Sequence, residues 1–286
     1  MPRIIHKNMI KIVVDSSADY TLQEIVERNL TLIPLNVIIN DKNYLDTLEL
    51  TPDAFYEMLI SDADFPKTSQ PSPEEFVKLF KEAKENDDEV VCILLSSSLS
   101  GTCQSAYLAK EIADYDKVYI VDSRSATFGI RLMAEYALKL RAEGKNGAEI
   151  AQCVEEMKSR VRIYAMIDTM EYLYKGGRVS RASAALGTIA NIKPMITVSQ
   201  EGTVEVIGKC IGRVKALNQI MKYLHDAPVD TDFPFYTLYA YGEETCEKLE
   251  KKLADENYSI TERLQLGSTI GAHIGPGACA IIYVTK

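Results

Sequence analysis

Serine and threonine hydroxyls gather in four stretches of this 286-residue chain, and hydroxyls beside free helix-start amides can hold an anion. Asp15-Ser16-Ser17, the run Ser96-Ser97-Ser98-Leu99-Ser100-Gly101-Thr102, and Asp122-Ser123 each follow an apolar segment directly. Thr68-Ser69-Gln70-Pro71-Ser72 instead leads into an expected helix. An open α/β sheet binds its ligand beyond the carboxyl ends of the strands, where such loops lie. A lone Ser or Thr there is equally a helix cap, and capping suffices for Asp15-Ser16-Ser17 and for Asp122-Ser123. The Ser96 to Thr102 run has more hydroxyls than one cap uses, so both capping and ligand binding stand for it.

Two further places add charge. His273 lies in the turn His273-Ile274-Gly275-Pro276-Gly277, where it is either solvated or a donor to a carboxylate, with an ordinary titration near neutrality. Lys175-Gly176-Gly177-Arg178-Val179-Ser180-Arg181 sets three cations around two glycines, either as a solvated turn or as a docking or anion-contact surface. The phosphate-loop spacing GxxxxGK[ST] is missing there. The chain has no GxSxG elbow, no HExxH helix and no GxGxxG fingerprint, and its three histidines leave few general bases for a hydrolase. The six cysteines, Cys92, Cys103, Cys153, Cys210, Cys246 and Cys279, lack CxxC spacing and read as reduced core thiols without a zinc site.

The elements that must position these groups alternate in the manner of strands feeding helices. Strands are expected over 11–14, 35–39, 90–95 and 118–121, with helices starting near Thr21, Pro52, Pro73, Thr102 and Ser125. Thr21 with Glu24 and Ser72 with Glu75 fit the capping box, and Pro52 and Pro73 suit the first helical position. A helix closing at Gly144 and another before residue 163 place a domain boundary near 162, dividing residues 1–162 from 163–286. The second half predicts a hairpin of 195–198 and 203–209, a helix over 213–225, a strand over 235–241, a helix over 243–256, and strands over 260–266 and 280–285. Residues 182–192 suit a core helix or the wall of an apolar channel.

A net charge of −9 argues against nucleic acid or an anionic membrane as main partner. No apolar run is long enough to span a bilayer, and the start MPRIIHKNM lacks a signal-peptide core, so stable membrane insertion is not expected and cytoplasmic residence is.

Taken in order, VVDSSAD at 13–19, TSQPS at 68–72, SSSLSGT at 96–102, Asp122-Ser123, KGGR at 175–178 and the late HIGPG together resemble the DegV family over nearly the whole chain. The resemblance implies an α/β fold of two domains, the N-terminal one a mostly parallel sheet flanked by helices and the C-terminal one a mixed sheet with helices. It implies a long-chain fatty acid such as palmitate, stearate or oleate held in a buried tunnel, with no cofactor and no metal. Thr68, Ser100 and His273 would contact the carboxylate, with Ser69, Ser97 and Gly101 nearby. In that scheme the chain is a binding subunit, and a separate ATP-dependent fatty acid kinase phosphorylates the acid for phospholipid synthesis. Lys175, Arg178 and Arg181 would then dock the kinase. Burial at ~0.8 kcal/mol per methylene gives on the order of 10 kcal/mol gross for a sixteen-carbon tail, whereas a carboxylate without partners costs several kcal/mol. Two other readings are a substrate subunit of a dihydroxyacetone-like phosphotransferase, which predicts a small polar ligand, and a lipid hydrolase using a loop serine.

Overall fold

The computed structural model describes residues 9–61, 64–179 and 191–286. In chain order the strands are β1 (Ile10–Asp15), β2 (Leu30–Ile33), β3 (Asn36–Ile39), β4 (Lys42–Leu45), β5 (Lys67–Ser69), β6 (Glu89–Leu94) and β7 (Val118–Asp122), then β8 (Val161–Met166), β9 (Ile192–Val198), β10 (Val204–Ile211), β11 (Tyr236–Tyr239), β12 (Glu262–Gln265) and β13 (Cys279–Val284). The first half forms a parallel sheet in the order β2-β1-β6-β7, and the second a six-stranded mixed sheet in the order β10-β9-β8-β13-β11-β12. A small antiparallel sheet, β4-β3-β5, stands beside them.

The near-continuous apolar strands follow from burial on both faces. Along β6, Val91 and Ile93 face the interior between the two large sheets, whereas Val90, Cys92 and Leu94 pack outward on the helices Pro73–Asn86 and Thr102–Ala113. Along β13 the same alternation sends Ala280, Ile282 and Val284 inward and Cys279, Ile281 and Tyr283 outward onto the helices Arg213–Asp226 and Glu244–Asp255. The interior layer is therefore common to both sheets and also takes in the helices Phe128–Ala142 and Ser268–Ile274. Arg131, 1% exposed, ties the halves together: it pairs with Glu24, reaches Glu262 at 3.4 Å, and lies 4.5 Å over the Tyr20 ring.

Several expectations are corrected. The strand over 35–39 leaves the parallel sheet and pairs antiparallel with β4 and β5. Thr68 and Ser69, expected in a loop, belong to β5, whose sequence Lys-Thr-Ser has no apolar alternation to announce it. Thr21 and Glu24 do form the reciprocal capping box, whereas the Ser72 side chain makes no capping bond to its helix among the described residues. The helix expected from Ser125 begins at Phe128. His273 lies not in a turn but in the last turn of a helix, Ser268–Ile274. Arg181 and nearly all of 182–192 lie outside the described residues.

Candidate functional site

The site forms where β5 and the helix Ser268–Ile274 meet the end of a short helix, Glu171–Lys175. Pairing with β3 sets Thr68 opposite Val37, and its hydroxyl lies 2.7 Å from Nε2 of His273. Gly176 closes the short helix directly against that imidazole, where any Cβ would overlap Nδ1 of His273. Gly275 ends the histidine's helix at φ +78°, a left-handed conformation that glycine adopts freely, and there it packs on the Tyr172 ring.

Burial fixes the chemistry of His273. The residue is 8% exposed, and burial, with the nearby Arg178 charge, pulls its pKa down to about 4. The imidazole is thus neutral at physiological pH, not poised between two states as a solvated turn histidine would be. With Nε2 protonated it donates to Thr68, leaving the hydroxyl proton of Thr68 free for a ligand. Nδ1 then faces Gly176 and has no hydrogen-bond partner among the described residues.

Arg178 supplies the charge. Its Nε donates to the Leu99 carbonyl at 3.0 Å and its Nη1 to the Gly176 carbonyl at 2.6 Å, which fixes the guanidinium and, among the described residues, leaves further N–H groups unspent. Burial lowers its pKa as well. On the facing loop, the Ser100 hydroxyl lies 2.9 Å from that of Thr102. The neighbouring Gly101 has no Cβ, which admits the Gln70 amide, and Gln70 in turn donates to Ser105 at 2.9 Å.

From Thr68, Ser69, Gln70, Ser100, Arg178 and His273 a cavity of about 860 Å³, mouth included, runs into the interior layer. Its walls are mainly aliphatic, among them Leu35, Leu95, Ile163 and Leu266. One row crosses four strands in register: Ile196 beside Ala165, Ala165 beside Ala280, Ala280 beside Leu238. Two alanines between larger residues hollow that face of the sheet into a trough.

Two hydroxyls in the wall are already committed. Thr127 donates to Asp19 at 2.5 Å and Thr269 to Asp46 at 2.6 Å. Asp46 is buried and Asp19 half-buried, and burial raises both pKa values, that of Asp19 strongly. Thr127 holds φ +48°, a costly conformation for a β-branched residue, kept in place by this bond to Asp19.

The structure thus gathers Thr68, Ser69, Ser100 and His273 at one cavity end. Gly101 adjoins it as the space into which Gln70 fits. Ser97 does not join them: its hydroxyl donates to Asp122 at 2.5 Å on the exposed side of the loop, so Asp122-Ser123 and Ser97 serve loop structure. Asp15-Ser16-Ser17 is structural too, since Asp15 accepts from the Leu95 amide at 2.7 Å and Ser16 from the Leu35 amide at 3.0 Å. Arg178, expected on a docking surface, is half-buried and lines the cavity. Lys175 is exposed, pairs with Glu171 at 2.6 Å and sits 5.1 Å over the Phe65 ring. Sequence reasoning missed Gly176 as the seat of the imidazole and Thr127 and Thr269 as wall residues; only the KGGR glycine offered a signal. Among the described residues no His, Cys, Asp and Glu group is arranged to hold a metal ion, and no helix is long and apolar enough to cross a membrane.

The sequence pattern of a family described as uncharacterised protein, DegV family, matches residues 9–286. A DegV domain-containing protein of Caldanaerobacter subterraneus subsp. tengcongensis is 33% identical over 280 residues, covering 97% of this chain and 99% of its own. The fold is similar to that of a DegV family protein from Thermus thermophilus described by its fatty acid binding, with 31% identity, a TM-score of 0.87, and coverage of 97% of this chain and 100% of that one. It is also similar to DegV, a fatty acid binding protein from Bacillus subtilis, with 30% identity, a TM-score of 0.83, and coverage of 98% and 100%.

Proposed function

The chain belongs to the DegV family, and from that premise we propose that it binds a long-chain fatty acid in the interior cavity and presents the carboxylate to a partner kinase. The observation that carries the reading is one cavity with aliphatic walls and a single polar end, where Thr68, Ser100 and His273 stand beside the Arg178 guanidinium. An acyl tail gains from the walls at ~0.8 kcal/mol per methylene. The carboxylate, costly to bury alone, accepts from the Thr68 and Ser100 hydroxyls and is balanced by Arg178. His273 acts through Thr68, holding its hydroxyl as a donor toward the ligand.

In this reading the acid meets an ATP-dependent fatty acid kinase at the polar end, acyl phosphate forms there in the cytoplasm, and exposed Lys175 is the docking cation. Arg178 belongs to the carboxylate site more than to the docking surface. The division into residues 1–162 and 163–286 goes with the proposal, the ligand lying in the layer common to both. Thr68 and His273 look like a nucleophile and its base. Yet among the described residues Nδ1 faces Gly176 with no orienting carboxylate, and an imidazole with a pKa of about 4 is a weak base at neutral pH, which argues against hydrolysis. The aliphatic walls argue equally against a small polar phosphotransferase substrate.

The test is organic extraction of the purified protein followed by mass spectrometry, then rebinding to the delipidated protein. Co-purified long-chain acid, and acyl phosphate formed on adding ATP and the partner kinase, are the expected results. Repeated preparations without lipid and without rebinding would overturn the binding reading. Glu at position 175 in place of Lys, with transfer unchanged, would remove Lys175 from the docking surface.

A further inference from the structure

Two hydroxyl residues interrupt the aliphatic wall of the cavity. Thr127 and Thr269 both line it, and each donates its hydroxyl proton to an aspartate behind the wall, at 2.5 Å to Asp19 and at 2.6 Å to Asp46. A carboxylate only accepts, so that proton is engaged. Neither hydroxyl oxygen accepts a hydrogen bond among the described residues. Each keeps lone pairs that a hydrocarbon chain leaves empty and that a donor would fill.

Thr269 lies one step inward from the carboxylate site. It precedes His273 by one helical turn on the same side of Ser268–Ile274, about 5–6 Å between Cβ atoms. The chain opposite has the same spacing. His273 meets Thr68, which pairs with Val37, whereas Thr269 meets Asp46, whose amide donates to the Leu35 carbonyl. Leu35 precedes Val37 by two residues, about 7 Å at the usual strand rise. Leu35 and Thr269 line the cavity together with Thr68 and His273. An acid whose carboxylate sits at Thr68 therefore passes Thr269 with the first few carbons of its tail.

A hydroxyl on those carbons would lose its water in a purely aliphatic tunnel and weaken binding about tenfold or more. Beside Thr269 it finds an acceptor. The bond it makes completes a chain from the ligand hydroxyl through Thr269 to Asp46, in which each link polarises the next. An ether oxygen on the same carbon has no proton to give and loses its water without return.

Building on the fatty-acid reading above, we propose that Thr269 is a specificity residue for a hydroxyl close to the carboxylate, so that the protein accepts β-hydroxy long-chain acids as well as plain ones.

The test uses the delipidated full-length chain and calorimetry with hexadecanoic acid, both enantiomers of β-hydroxyhexadecanoic acid, and the matching β-methoxy acid. One hydroxy enantiomer is expected to bind within about fivefold of hexadecanoic acid, and the methoxy acid to bind more weakly than that enantiomer. Thr269→Val is expected to lower the ratio of hydroxy to plain affinity about fivefold or more, and Thr269→Ser, which keeps the oxygen, to restore it. The comparison in the parent chain stands without either variant. If hexadecanoic acid binds but both hydroxy enantiomers are weaker by more than about fivefold, or if Thr269→Val leaves the ratio where it was, Thr269 has no such role while the fatty-acid reading survives. If hexadecanoic acid does not bind either, that reading fails and the specificity fails with it.

Discussion

The Thr68 hydroxyl and Nε2 of His273 lie 2.7 Å apart across 205 residues of sequence, one on an edge strand of the small sheet and the other on a helix of the second half. The contact exists only when both halves are folded on each other. Thr68→Val keeps the shape and removes the donor. Fatty acid affinity is expected to fall about tenfold to a hundredfold, corresponding to ~1–3 kcal/mol, with little change in the melting temperature of the empty protein. Calorimetry on delipidated samples checks the first effect and differential scanning fluorimetry the second.

Gly176→Ala tests the relay without touching a ligand-facing group. The added methyl overlaps Nδ1, so the imidazole must turn away from Thr68. Affinity is expected to drop toward that of Thr68→Val, and the double variant to be little worse than either single one. Additive losses in a double-mutant cycle would separate the two residues.

Acid sensitivity follows from opposed shifts. His273 titrates at about 4 in the folded chain against an ordinary 6.5, so its contribution is complete above 6.5 and is lost as pH falls from 6.5 to 4, on the order of 3 kcal/mol. Asp15, raised to about 6, has the opposite sign: its contribution is present below the ordinary 3.8 and lost as pH rises through 6. Asp19 and Asp46 are also raised and act in the same direction as Asp15. Asp19→Asn, which resembles the protonated acid, is expected to raise the melting temperature at about pH 8, with the gain shrinking on acidification. His273→Gln is expected to lose less stability than the parent between about pH 7 and about pH 5. Melting curves across pH decide both.

Ala280 is half of the trough floor. Ala280→Leu fills it, and long-chain affinity is expected to fall about tenfold or more while the empty protein melts no lower, because the added atoms occupy existing space. Mass spectrometry of co-purified lipid should then show shorter chains or none.

The long, doubly buried strands were legible because Ile12, Val13 and Val14, or Ile281 and Ile282, are unbroken apolar runs that little else explains. β2, β4 and β5 were not, being three or four residues long and, in Lys67–Ser69, polar throughout. The helix Ser268–Ile274 was hidden for another reason. Its Ser, Thr, Ile and Gly are poor helix formers, and packing of Gly271 on Phe55 and Tyr56 holds it in place. The hydroxyl-rich loops around Thr68 and Ser100 were legible from composition and those two residues from the family resemblance, but the displacement of Ser97 toward Asp122 and the burial of Arg178 depend on which way each loop turns. The low pKa of His273 was equally invisible, since burial sets it and no local pattern encodes burial.

The interior layer contains a void where a well-packed protein would have side chains. In engineered cores such vacancies weaken the fold by ~24 cal/mol for each Å³ left unfilled. The vacant form thus stands to the occupied one as a truncation mutant stands to its parent. On the fatty-acid reading, an acid that enters completes the packing as a residue that no codon specifies, and tolerance to heat and proteases is expected to gauge lipid supply.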